Sequence, residues 1–132
     1  MIVNVIASYL ETLTATNPIC SALGDTFTFN TNLFIGFEQE KTVSAVTIIP
    51  YPGPKPNIDG QRQTAGIQLR LRTDSKYKAL YVQQACIDNL DCNKLNGNGF
   101  MRANSSTPMV IEMQENGKWV ISVSNYLVKY VK

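Results

Sequence analysis

An α+β fold in one domain, with two helices packed on one face of an antiparallel or mixed β-sheet, is what the sequence predicts. Three observations carry that expectation. Two stretches repeat apolar residues at helical spacing, several short runs alternate apolar with polar residues, and an Asn-Gly pair sits between the last two runs as a hairpin turn. The 132 residues suit a single domain over 1–132, and 44% hydrophobic against 17% charged residues supplies a core without disulfides or a bound metal.

Taken in order, residues 2–15 place Ile2, Val5, Ile6, Tyr9, Leu10 and Leu13 on one side at helical spacing. That helix ends before Asn17-Pro18, because a proline disfavours helical backbone in the residue before it. TFTFNTNLFIGF at 26–37 alternates around a turn at Asn30 to Asn32 and predicts a strand pair. VSAVTII at 43–49 is a β-branched strand bounded by Pro50. Residues 50–63 hold four of the six prolines, at positions 50, 52, 54 and 56, and without those amide donors the segment is an extended loop.

After the loop, Ile67, Leu69 and Leu71 alternate with Gln68, Arg70 and Arg72, giving a strand with one core face and one polar stripe. Thr73-Asp74-Ser75 offers N-cap side chains to a helix running to about Leu90, whose buried face is Ala79, Leu80, Val82, Cys86, Ile87 and Leu90. Asn96 to Gly99 is a turn, FMRA at 100–103 a short strand, and Pro108 precedes MVIEMQ. Asn116-Gly117 then sets a type I′ turn before WVISVSNYLVKYV. In that last run Trp119, Ile121 and Val123 alternate in one phase and Tyr126, Val128 and Tyr130 in the other, which predicts a bulge or bend near Ser124-Asn125.

Composition narrows the function. The chain has no histidine, which removes the commonest general base, the commonest zinc ligand and every Ser-His-Asp or Cys-His arrangement, so no enzyme, cofactor or metal site is expected. Twelve Lys+Arg against ten Asp+Glu is too balanced for an electrostatic nucleic-acid or membrane footprint. The N-terminal stretch lacks a basic region and a long apolar run, so a soluble, non-secreted protein is expected; Cys20, Cys86 and Cys92, odd in number and without a CxxC pair, fit free thiols in a reducing compartment.

Smaller constellations have ordinary explanations. Asp88 with Asp91, and Glu38 with Glu40, are expected as surface charge, and Gly97 with Gly99 as a turn. Tyr77, Tyr81, Tyr126 and Tyr130 are expected in core and rim packing. Arg62, Arg70 and Arg72 with Lys41 and Lys55 offer a nucleic-acid-binding alternative, but the interleaved aromatics of a single-strand binder are missing, so a solvated or subunit-facing stripe is favoured. The proline-rich loop is different: long structureless loops in compact domains are usually functional, and its stiffness lowers the entropy lost on docking, which suits an intersubunit or partner-binding arm.

The succession VSAVTIIPYPGPKPNIDGQRQ, TAGIQLRLRTDSKYKALYVQQACIDNL and FMRANSSTPMVIEMQENGKWVISVSNYLVKY resembles the small tail-terminator or minor-capsid (head-tail joining) proteins of tailed bacteriophages. It carries, in order, a hydrophobic strand, a Tyr/Pro/Gly-rich loop with Asp59-Gly60 and Arg62-Gln63, a Gly-Ile-Gln-Leu-Arg-Leu-Arg strand, a helix and a late Asn-aromatic pair. The resemblance implies a mixed α/β fold and a structural virion protein, assembled in the host cytoplasm as a homo-oligomeric, hexameric ring at the neck. That ring would end the tail tube and join it to the head connector, with DNA passing through its lumen unread. Its partners would be further copies, the tail tube protein and the head-tail connector protein. On this basis Tyr51, Pro52, Pro54, Lys55, Pro56, Asp59, Arg62, Gln63, Gln68, Arg70 and Arg72 are the expected subunit or partner interface. A head-completion or connector ring is the nearest alternative.

Overall fold

A computed structural model describes residues 2–36, 44–51, 62–114 and 118–131. The elements are α1 (Ile2–Glu11), α2 (Pro18–Leu23), β1 (Leu33–Ile35), β2 (Ala45–Tyr51), β3 (Arg62–Thr73), α3 (Lys76–Leu90), a one-turn 3₁₀ segment (Leu95–Gly97), β4 (Phe100–Ala103), β5 (Met109–Gln114) and β6 (Trp119–Val131). The six strands form one mixed sheet in the order β1-β2-β3-β6-β4, with β5 also on β6. β1 is parallel to β2, and the remaining pairs are antiparallel. The fold is therefore the expected α+β domain, with a third, short helix beside the two anticipated.

That third helix starts at the Asn17-Pro18 pair. Asn17 Oδ1 accepts from Ile19 N at 3.0 Å, Pro18 occupies the first helical turn where its missing amide costs nothing, and Gly24 closes the helix at φ 83°. α1 itself stops at Glu11 and buries Ile2, Val3, Ile6, Ala7 and Leu10, a face turned slightly from the expected one.

The strand pair expected over 26–37 is reduced to β1. Within that stretch Asn32 is buried, and its side chain accepts from Thr28 N at 2.7 Å and donates to Thr26 O at 2.8 Å. With Asn30 at φ 67°, this side-chain staple ties residues 26–32 into a turn and takes the backbone groups that a partner strand would have used.

β6 organises the sheet. It pairs with β3 without interruption, from Arg62 opposite Val131 to Thr73 opposite Val120, so the bulge expected near Ser124-Asn125 is not there. On its other edge β6 meets β5 along Trp119–Val123 and β4 along Tyr126–Lys129, leaving Ser124 and Asn125 at the handover. The irregularity lies in β5, where Val110 faces Ser122 and Glu112 faces Ile121, with Ile111 as the extra residue. The apparent phase change has a chemical cause: Val120, Ser122, Ser124, Tyr126 and Val128 are all buried in one phase, but two of them are serines. The Asn116-Gly117 turn lies outside the described residues; the strands on either side pair antiparallel as predicted.

The main core fills the helix-covered face. Ile6, Leu10, Ile19, Val82, Cys86 and Leu90 from the helices meet Leu33, Ile48, Ile67, Leu69, Leu71, Tyr126 and Val128 from the sheet. α3 is capped by Ser75, whose Oγ accepts from Lys78 N at 3.0 Å, and it buries Gln83 where Leu80 was expected. Gln83 Nε2 donates to Leu69 O and Ser122 O at 2.9 and 3.1 Å, and its Oε1 accepts from Ser124 Oγ at 2.7 Å. Ser122 Oγ donates to Ala79 O at 3.2 Å. Serine at two core-facing positions is thus explained by one glutamine that satisfies the helix, β3 and β6 together.

Candidate assembly surface

The face of the sheet turned away from the main core carries the residues expected at an interface. Even-numbered β3 residues point there, beside Ala45, Thr47, Ile49 and Tyr51 of β2 and Trp119, Ile121, Val123 and Asn125 of β6. It is not the solvated stripe that alternation alone implies. Arg72 is 6% exposed, with its guanidinium carbon 5.4 Å from the centre of the Trp119 ring. Arg70 is half-buried and its Nη2 meets Glu112 Oε2 at 3.1 Å, which ties β3 to β5 across β6. A row of exposed arginines for phosphate contacts is therefore absent at Arg70 and Arg72.

Further along, Gln68 Nε2 donates to Asn125 Oδ1 at 3.1 Å. Tyr51 lies over Gly66, where a Cβ would run into the phenol ring, so glycine is required by the close approach of a neighbouring strand's side chain. The Tyr51 hydroxyl donates to Tyr126 O at 3.0 Å and accepts from Asn104 Nδ2 at 3.0 Å. Ile49, Tyr51, Gln68, Asn104 and Asn125 line a shallow pocket of about 340 Å³, an uncharged and amide-rich depression. Asn104 and Asn125 are its unanticipated members. Asn125 sits opposite Gln68 in the β3–β6 register, and a correct pairing of those strands is the signal that would have found it.

Among the other expected interface residues, the backbone of Arg62 opens β3 opposite Val131, and Gln63 is half-buried opposite Tyr130. Pro52, Pro54, Lys55, Pro56 and Asp59 lie outside the described residues, as do Glu38, Glu40 and Lys41. The tyrosines divide: Tyr126 is fully buried and Tyr130 half-buried, whereas Tyr77 and Tyr81 are exposed and stacked on each other with ring centres 5.8 Å apart. Cys20 and Cys86 are buried and Cys92 exposed, all as free thiols. Burial pushes the Cys86 thiol up to about 12, the behaviour of a small core residue and not of a nucleophile.

Asp91 is a structural clip. Its Oδ1 accepts from Ala103 N and from Arg102 Nε, each at 2.9 Å, and the backbone bond to Ala103, followed by the Arg102 bond, holds the carboxyl below its ordinary range. Asp88 accepts from Gln84 at 2.9 Å. Among the described residues no three His, Cys, Asp or Glu gather as metal ligands, and no helix is long and apolar enough to cross a membrane.

A mixed sheet with helices on one face and interlocked side chains on the other is the scaffold that these residues build. Its sequence is decisive on which scaffold: a family profile described as Bacteriophage tail terminator protein matches residues 19–131. The chain belongs to the bacteriophage tail terminator family. The match spans every strand, α3 and all of α2 but Pro18, so this tail terminator's sheet, α3 and the three ladders on β6 are family territory, with α1 outside it. No curated protein matches the chain. The family is structural and not enzymatic, belongs to the virion, and places the protein among other tail and head proteins.

Proposed function

We propose that this tail terminator works as a closed, sixfold ring of copies seated on the end of the tail tube, where it halts tube growth and joins the tail to the head connector. The family match over 19–131 carries this reading. Assembly takes place in the host cytoplasm, DNA passes through the lumen without sequence-specific contacts, and no cofactor takes part. In a ring each subunit uses two different surfaces, one to give and one to receive. The segment around Pro52, Pro54, Lys55, Pro56 and Asp59, with Tyr51 and Arg62-Gln63 at its ends, is the giving surface. Gln68, Arg70 and Arg72 support it from the same sheet face, by positioning Asn125, Glu112 and Trp119.

The test is to delete the gene in its phage and image the lysate by electron microscopy. Overlong or variable tails detached from filled heads are expected. Tails of normal, uniform length would exclude termination, and normal tails left unjoined would point to a head-completion or connector ring instead.

A further inference from the structure

The amide-rich depression beside Tyr51 holds hydrogen-bonding groups that the fold leaves unspent. Gln68 uses its Nε2 on Asn125 Oδ1, and Asn104 uses its Nδ2 on the Tyr51 hydroxyl. No further hydrogen bond engages these three amide side chains, which leaves Gln68 Oε1, Asn104 Oδ1 and Asn125 Nδ2. None of the three is a buried orphan, so each reaches solvent at the depression that its residue lines.

Their positions are set by the fold itself. Gln68 and Asn125 stand opposite each other in the β3–β6 register, and Asn104 N donates to Asn125 O at 2.8 Å. The Tyr51 ring lies over Gly66, and its hydroxyl is held from both sides by Tyr126 O and Asn104 Nδ2. Groups held in this way lose little freedom when a ligand arrives.

We propose that this depression binds a carboxamide side chain, that of an asparagine or glutamine on an adjoining tail protein. The unspent groups are two acceptors and one donor, and a carboxamide brings two N–H donors and a carbonyl acceptor. Other side chains fit worse. A carboxylate would set its oxygens against Gln68 Oε1 and Asn104 Oδ1, and among the described residues no cationic side chain lines the site. Lysine and arginine carry no acceptor for Asn125 Nδ2 and find no carboxylate there. An apolar side chain would cover all three groups and pair none of them. Ile49 and the Tyr51 ring supply an apolar wall for a methylene stem, and about 340 Å³ is at the small end of ligand sites, room for one side chain. A nucleic acid could offer a base edge to the same amides, but it also needs phosphate contacts, and the nearby Arg70 and Arg72 are engaged with Glu112 and Trp119. The inference rests on the assembly reading above for its partner, and names the chemistry of the contact at Tyr51 and Gln68.

The test is an NMR titration of isotope-labelled, full-length protein with N-acetylglutamine N-methylamide, with the glutamate and leucine compounds capped in the same way, and with adenosine. The side-chain amide resonances of Gln68, Asn104 and Asn125 are expected to shift saturably with the glutamine compound in the millimolar range, and about tenfold more weakly with the other three. Asn125→Asp keeps the size and the acceptor for Gln68 but removes the donor. It is expected to melt as wild type does and to bind the glutamine compound about tenfold more weakly. Absence of a saturable shift, equal binding of glutamate, leucine or adenosine, or undiminished binding by Asn125→Asp overturns the proposal. In the phage, Asn125→Asp is expected to lower the yield of joined particles, and an unchanged yield overturns the assignment to an adjoining protein. The deletion phenotype is independent: overlong tails without saturable binding reject only this ligand, and normal tails with saturable binding reject only the terminator role.

Discussion

The two halves of β6 share one strand and one partner in β3, yet they are finished differently on the other side. From Tyr126 to Lys129 the neighbour is β4, its outward amides held by Asn93 and Asp91; from Trp119 to Val123 the neighbour is β5, whose outer edge is open among the described residues. Local stability follows capped backbone groups and buried contacts, and openness marks where another chain can enter. The β4 half is built as core, and the β5 half as a boundary.

The sharpest way to break that contrast is at Tyr126. Its side chain is fully buried, its hydroxyl lies 2.8 Å from Ser124 Oγ, and its carbonyl receives the Tyr51 hydroxyl; desolvation raises its phenol well above the ordinary range. Tyr126→Ala should cost about 3–5 kcal/mol in denaturant unfolding, the cost of emptying a large buried aromatic site. A loss under about 1 kcal/mol would mean that the β4 half is not the packed one.

Next in size is Gln83, which acts at the handover between the halves. Gln83→Met keeps the volume but takes the amide donor from Leu69 O and Ser122 O and one of the two partners from Ser124 Oγ, and about 1–3 kcal/mol should be lost. Adding Ser124→Ala should deepen that loss, because it takes the partner from the buried Tyr126 hydroxyl; if the double variant is no worse than the single one, the Ser124 hydroxyl is not part of the network that joins α3 to β6.

How much of this was legible in the sequence depends on whether a residue's partner is near it in the chain. Period-2 alternation at Ile67, Leu69 and Leu71, the Ser75 cap and the FMRA strand all emerge where local pattern places them, because each depends on backbone geometry within a few residues. Ser122 and Ser124 misled, since serine reads as solvent-facing until Gln83, some forty residues earlier in the chain, is brought against it by the α3–sheet packing. Arg72 misled in the same way: alternation sets its face correctly, but only Trp119, brought opposite by the β3–β6 register, turns that face into a buried one. Asn125 and Asn104 carried no signal at all, being single amides whose meaning is cross-strand.

The smallest expected effect bears most directly on the difference between the edges. The Asp91 side chain is 38% accessible, so its bond to Ala103 N adds little to global stability, but it closes the β4 edge at Ala103. The backbone bond to Ala103, then Arg102, favour the ionised form and lower its pKa in the folded protein. With the folded value depressed, the clip is present above the unfolded carboxyl value of about 3.9 and is lost as pH falls through the lower folded value. The Ala103 amide resonance, followed by NMR, should therefore titrate with a midpoint below that of a free aspartate, while the Met101 amide, held by a backbone carbonyl, stays unmoved. In Asp91→Asn the titration at Ala103 should vanish. A midpoint at or above the free value would show that the carboxylate does not hold the amide, and that the β4 edge is closed at Met101 alone.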